Sequence, residues 1–128
     1  MKKNEMFAVI FMLFATVGIV VGILAVEKYR RGKFFTVELI ARAPDSGNWY
    51  PEEITVPVGE EVRILIRNIE TVTHGFALPD FNIAAREIKA GEVSVVKFTP
   101  DKRGAFPFMC TVWCSDRHME MKGKLIVE

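Results

Sequence analysis

Two patterns of hydrophobic positions divide the chain. From Met6 to Val26, "MFAVIFMLFATVGIVVGILAV", there is no charge and one weakly polar residue, Thr16. At ~1.5 Å rise per residue, a helix of that length spans a hydrocarbon core of ~30 Å. A helix buried in a soluble core would show polar positions at helical period, and this run shows none. It is longer than a typical signal-peptide apolar segment. No small-x-small site follows it either, because Ile23 stands two positions before Ala25. The run therefore reads as an uncleaved anchor over about 6–26, with "EKYRRGK" (27–33) as its exit and a short linker.

From Phe34 the period changes to two. "FFTVELIA" (34–41), "EITV" (53–56), "VRILIRN" (62–68), "EVSVVKFT" (92–99), "AFPFMC" (105–110) and "GKLIVE" (123–128) read as strands. Val62, Ile64 and Ile66 share one face, with Arg63 and Arg67 on the other. Turn residues separate these runs at "APDSGN" (43–48), "PVGE" (57–60), "KAGE" (89–92) and "TPDKRG" (99–104). No segment here has helical periodicity, and none repeats. Short strands with regular punctuation predict an all-β sandwich or barrel, and roughly 95 residues suffice for one such core. The expected organisation is an anchor and linker over 1–33 and one β-domain over 34–128.

Charge narrows the choice of partners. The net formal charge is +1, but residues 1–33 hold six Lys/Arg and two Asp/Glu. The remainder holds eleven Lys/Arg and fourteen Asp/Glu. A mildly acidic domain argues against nucleic acid, which requires a basic face. Lys2 and Lys3 precede the apolar run, and Lys28, Arg30, Arg31 and Lys33 follow it. Taken alone, the positive-inside rule places the β-domain in the cytoplasm. There is no phosphate-binding loop, and neither histidine has a nucleophile beside it, so no hydrolytic triad is expected.

The candidate chemistry is concentrated in "CTVWCSDRHMEM", residues 110–121, which holds both cysteines and one of the two histidines. The spacing is Cys110-x3-Cys114-x3-His118-x2-Met121, with His74 alone upstream. A Cys110–Cys114 disulfide would close a tiny loop, gain little, and leave His118 and Met121 unexplained. Zinc takes four N/S ligands, and two cysteines with two histidines supply them, but zinc has no use for a thioether. Thiolate, imidazole and thioether together select copper. Cys114, His118, Met121 and His74 alone suit a single copper. Adding Cys110 lets two sulfurs bridge two ions, each with one terminal histidine.

His74…Cys110-x3-Cys114-x3-His118-x2-Met121 resembles the binuclear copper (CuA) cupredoxin domain of cytochrome c oxidase subunit II. The same domain ends nitrous-oxide reductase. The resemblance covers roughly residues 50–128 and includes "THGFAL", "AGEVSVVKFTPDKRG" and "HMEMKGKLIV". It implies a Greek-key cupredoxin sandwich behind a single transmembrane helix. It also implies Cys110 and Cys114 as bridging thiolates. His74 and Met121 would complete one copper, and His118 with the backbone carbonyl of Val112 the other. Met109 and Met119 are then packing residues, and Trp113 is either core or an apolar docking edge. No electron-transfer role is carried to Trp49 and Tyr50.

In function, the resemblance implies an electron-input subunit of a terminal oxidase, not catalytic alone. It would take electrons from a donor such as cytochrome c and pass them to a haem-bearing partner. A stand-alone tethered carrier and a copper-handling protein are the other readings. Two departures stand out: one helix instead of a two-helix hairpin, and no propeller of the nitrous-oxide reductase kind. The family places this domain outside the cytoplasm, against the charge count, and the exterior side is the expectation adopted.

Overall fold

The computed structural model describes residues 2–31 and 34–128. Gly32 and Lys33, the end of the expected linker, lie outside the described residues. The chain forms two compact units, Met1–Lys33 and Phe34–Glu128. The first is one helix, α1 (Lys3–Arg31), whose side chains from Met6 to Val26 are all exposed. It is long and apolar enough to cross a membrane. Its one polar side chain in that run, Thr16, donates back to the carbonyls of Met12 and Leu13, both at 3.0 Å. That leaves no hydroxyl unsatisfied on an apolar rod.

The second unit is a sandwich of eight strands. They are β1 (Phe34–Ala41), β2 (Glu53–Val56), β3 (Glu61–Asn68), β4 (His74–Leu78), β5 (Ile83–Ile88), β6 (Val93–Phe98), β7 (Gly104–Met109) and β8 (Lys122–Val127). One sheet has the order β1-β3-β6 and the other β2-β8-β7-β4-β5. The alternation read from β3 holds: Val62, Ile64 and Ile66 are fully buried, while Arg63 and Arg67 face outward. They meet Leu39 and Ala41 of β1 and Val96 of β6 on one side of the core. Ile54, Phe76, Leu78, Ile88, Phe108 and Leu125 supply the other.

β4 and β5 were not legible as strands. β4, "HGFAL", is buried at four of its five positions and so lacks alternation. β5, "IAAREI", is poor in β-branched and aromatic residues and is held by pairing with β4. Between them Pro79–Phe81 forms a 3-10 turn closed by Asn82 in the left-handed region, φ 54°.

Register fixes where the candidate chemistry lies. β1 runs parallel to β3, pairing Phe34 with Glu61 and Ala41 with Asn68. The ends of β1, β3 and β7 and the starts of β4 and β8 gather at one pole of the sandwich. Phe34 is at the other pole, seven strand steps of ~3.3 Å away from Ala41.

Candidate metal centre

Four segments deliver side chains to that pole. β4 opens with His74, which is fully buried. β7 ends one residue before Cys110. The loop 111–117 carries Cys114, and the 3-10 turn His118–Glu120 leads through Met121 into β8. Cys110 and Cys114 are buried free thiols, and Met121 is fully buried. His118 is partly exposed at the rim.

The distances bring every sequence-predicted residue together. Cys110 Sγ is 3.9 Å from His74 Nδ1 and 3.2 Å from the Val112 carbonyl oxygen. Cys114 Sγ is 3.6 Å from His118 Nδ1 and 3.6 Å from Met121 Sδ. Ligand atoms of His74, Cys110 and Cys114 lie within 4.8 Å of one another. The two sulfurs occupy the middle, with imidazoles on either side.

The surroundings orient these groups. Glu70 Oε2 lies 2.8 Å from His74 Nε2, so the other ring nitrogen, Nδ1, faces the sulfurs. The same Oε2 accepts the Ala43 N–H at 2.7 Å. Buried Asn68 shapes the loop that presents both residues. Its Nδ2 donates to the carbonyls of Val72 (2.7 Å) and Ile88 (2.8 Å), and its Oδ1 accepts the Glu70 N–H (2.9 Å). Gly75 donates its N–H to Cys110 Sγ at 3.4 Å. A Cβ there would lie 2.2 Å from Thr111 Oγ1 and 3.0 Å from both the Arg86 carbonyl oxygen and Val112 Cγ2. Only glycine allows β4 to lie this close to the cysteine loop.

Electrostatics separate the two thiols. Burial disfavours the Cys110 thiolate, but hydrogen bonds with His74 and with the Gly75 and Val112 backbone outweigh burial and lower its pKa. Cys114 is pushed up to about 12, first by burial and then by the negative charge of Cys110 beside it. Burial also opposes the charged forms of His74 and Glu70. Contacts to Cys110 and Glu70 nevertheless raise His74, and hydrogen bonds from Ser46, Ala43 and His74 lower Glu70. Without metal the two thiols are thus unequal, and Cys110 ionises more readily than Cys114.

Residues 19–127 match the family described as a cupredoxin-like domain. The chain belongs to that family. Nitrous-oxide reductase of Ralstonia nicotianae is 36% identical over 102 residues, 77% of this cupredoxin and 15% of that protein. The chain therefore spans about 15% of the length of that relative. Cytochrome c oxidase subunit 2 of Thermus thermophilus is 32% identical over 94 residues, 73% of this chain and 66% of that one. Among solved structures, a chain of a heme-copper terminal oxidase dimer aligns with a TM-score of 0.63 at 22% identity. That alignment covers 98% of this cupredoxin and all of that chain, a likeness of fold.

Three residues of this pole were given no place at the site from sequence alone. Glu70 precedes His74 by four positions in a loop with no pattern to mark it. Asn68 closes a strand otherwise read for its apolar face. Trp49 is fully buried, its ring edge-on to Phe76 and Phe108, and its indole N–H reaches the Met121 carbonyl at 3.3 Å. One expectation is corrected: Met119 does not pack but is 72% exposed, because it points outward from the 3-10 turn. Trp113 is 68% exposed, its ring 6.1 Å from that of His118, so it is surface and not core.

Proposed function

We propose that this cupredoxin holds two copper ions and transfers electrons from a tethered position at a membrane. The observation that carries the reading is the paired-sulfur geometry: two buried sulfurs, each with an imidazole nitrogen within 4 Å, and a thioether on one of them. The donor set fits copper, since thiolate, imidazole and thioether are its soft partners. Cys110 and Cys114 would bridge the ions. His74 and Met121 would complete one, and His118 with the Val112 carbonyl the other. Such a copper pair, when bound, takes up and releases single electrons.

The chain's own residues prepare that exchange. Glu70 holds His74 in one tautomer, the Gly75 N–H stabilises the Cys110 sulfur, and burial of Met121 excludes water from the thioether side. A rigid, hydrogen-bonded cage lets charge change with little movement. Trp113 and Met119, exposed beside His118, form the apolar edge where a donor docks.

The assignment to a system is an electron-input subunit of a terminal oxidase, fed by cytochrome c or a similar donor and passing electrons to a haem-bearing subunit. The similarity to cytochrome c oxidase subunit 2 and the single apolar helix support it. In this reading residues 1–33 are the anchor and linker, 34–128 the copper domain, and the domain faces the exterior. A stand-alone carrier serving a nitrous-oxide reductase system is favoured by the higher identity to that enzyme. Purifying the tagged full chain from its native membranes in mild detergent separates the two. Co-purifying haem that is reduced through this chain is the oxidase result, and a haem-free chain contradicts it.

A further inference from the structure

Met121 is held by more than its place at the start of β8. Its carbonyl accepts the Cys110 N–H at 3.1 Å and the Trp49 indole N–H at 3.3 Å. Its own N–H donates to the His118 carbonyl at 3.0 Å. Both lone pairs of one peptide oxygen are thus used, one by a cysteine of the pole and one by a tryptophan 72 residues earlier.

Trp49 is itself fixed from several sides. Its ring meets Phe76, two residues past His74, at 5.9 Å between centroids, and Phe108, two residues before Cys110, at 5.8 Å. Its backbone N–H donates to Asn48 Oδ1 at 2.9 Å. The next residue, Tyr50, exchanges backbone hydrogen bonds with Ile40 of β1 at 2.8 and 3.0 Å. The segment around it also grips the metal loop at Glu120 and Arg117. Asn48 Nδ2 donates to the Glu120 carbonyl at 3.5 Å, and Asp45 pairs with Arg117 at 3.7 Å.

Phenylalanine would fill most of this space. What tryptophan adds is a buried N–H, which must find an acceptor. The acceptor it finds belongs to the thioether residue. We propose that Trp49 is a positioning residue of the copper centre: its indole N–H holds the Met121 peptide and so sets where the thioether stands relative to the sulfurs. This rests on the binuclear-copper reading. An axial methionine tunes the potential of a copper site. A bond that fixes its backbone therefore acts on the potential through it.

The test is a double-mutant cycle on the copper-loaded full chain in detergent, with Trp49→Phe, Met121→Leu and the pair. Copper content, electron-spin spectrum and reduction midpoint are read for each. Trp49→Phe should keep the copper content and change the oxidised-to-reduced ratio at fixed potential at least threefold. In the Met121→Leu background it should add nothing. An unchanged midpoint, or an equal shift in both backgrounds, would overturn the inference.

Should Trp49→Phe not fold, hydrogen exchange at the wild-type indole N–H answers the same question. Coupling is reciprocal, so copper loading should slow that exchange at least tenfold, and an unchanged rate would overturn the proposal. If the wild-type chain takes up no copper pair, the binuclear reading fails and this inference with it. If the wild-type holds the pair and Trp49→Phe is silent, only the inference on Trp49 falls.

Discussion

The Cys110 sulfur has the Gly75 N–H, His74 Nδ1 and the Val112 carbonyl around it, and Cys114 has His118 and Met121. In the proposed reading, Cys110 is the residue that separates one metal from two. Cys110→Ser should leave Cys114, His118, Met121 and His74 to hold a single ion, and copper per chain, measured by elemental analysis, should fall by about half. Glu70 makes a different prediction, for the metal-free protein. Folding lowers its pKa from the ordinary 4.5, so its contribution is present above pH 4.5 and is lost as pH falls through the folded value. Folding raises that of His74 above 6.5, so its contribution is complete below pH 6.5 and fades as pH rises through the folded value. The destabilisation by Glu70→Gln should therefore be greatest between pH 4.5 and 6.5. Its size is on the order of 1 kcal/mol, the difference between charged and neutral hydrogen bonds. Chemical denaturation of both chains across pH 3.5–8.5 checks it; a pH-independent difference would contradict it.

At the scale of elements, the site depends on how closely β7 and β8 approach. Gly123 of β8 pairs with Phe108 of β7. A Cβ at Gly123 would lie 2.2 Å from the Phe108 ring and 2.8 Å from the Glu52 carbonyl oxygen. Gly123→Ala should destabilise by about 1–3 kcal/mol, as overpacking does, read as a lower denaturation midpoint. β3 was legible because its apolar face alternates against water, and β8 because "GKLIVE" carries a short run of strand formers. β4 was missed because a strand buried on both faces carries no alternation, and β5 because pairing, not propensity, makes it a strand. The candidate ligands of 110–121 were legible since cysteine and histidine are rare in this chain and their spacing there is short, whereas His74 stands alone upstream and joins them only through the fold. Glu70 and Trp49 were not legible, because they reach the site through loop geometry that a linear pattern does not contain.

At the scale of the molecule, an apolar helix of 29 residues precedes an acidic β-domain. The chain should remain in the membrane fraction after high-salt washing, which removes charge-held proteins but not an inserted helix. The proposed exterior placement runs against the basic residues that flank the helix on its domain side. A C-terminal reporter active only outside the cytoplasm should be active on this chain, and a reporter active only inside should be silent; the reverse would place the copper domain in the cytoplasm. The exposed pair Trp113 and Met119 lies beside His118 on the pole opposite Phe34. Trp113→Ala should therefore slow electron uptake from a soluble cytochrome about tenfold or more without altering the copper spectrum, as loss of an aromatic anchor does at other interfaces.

In the proposed centre, two sulfurs and two imidazoles hold a copper pair that shares one unpaired electron. The most direct measurement is the electron-spin spectrum of the copper-reconstituted wild-type chain, taken with its copper content. Two coppers per chain, with the unpaired electron divided equally between two copper nuclei, is the predicted result. One copper per chain with the electron on a single nucleus, or a colourless zinc-loaded protein, would contradict it.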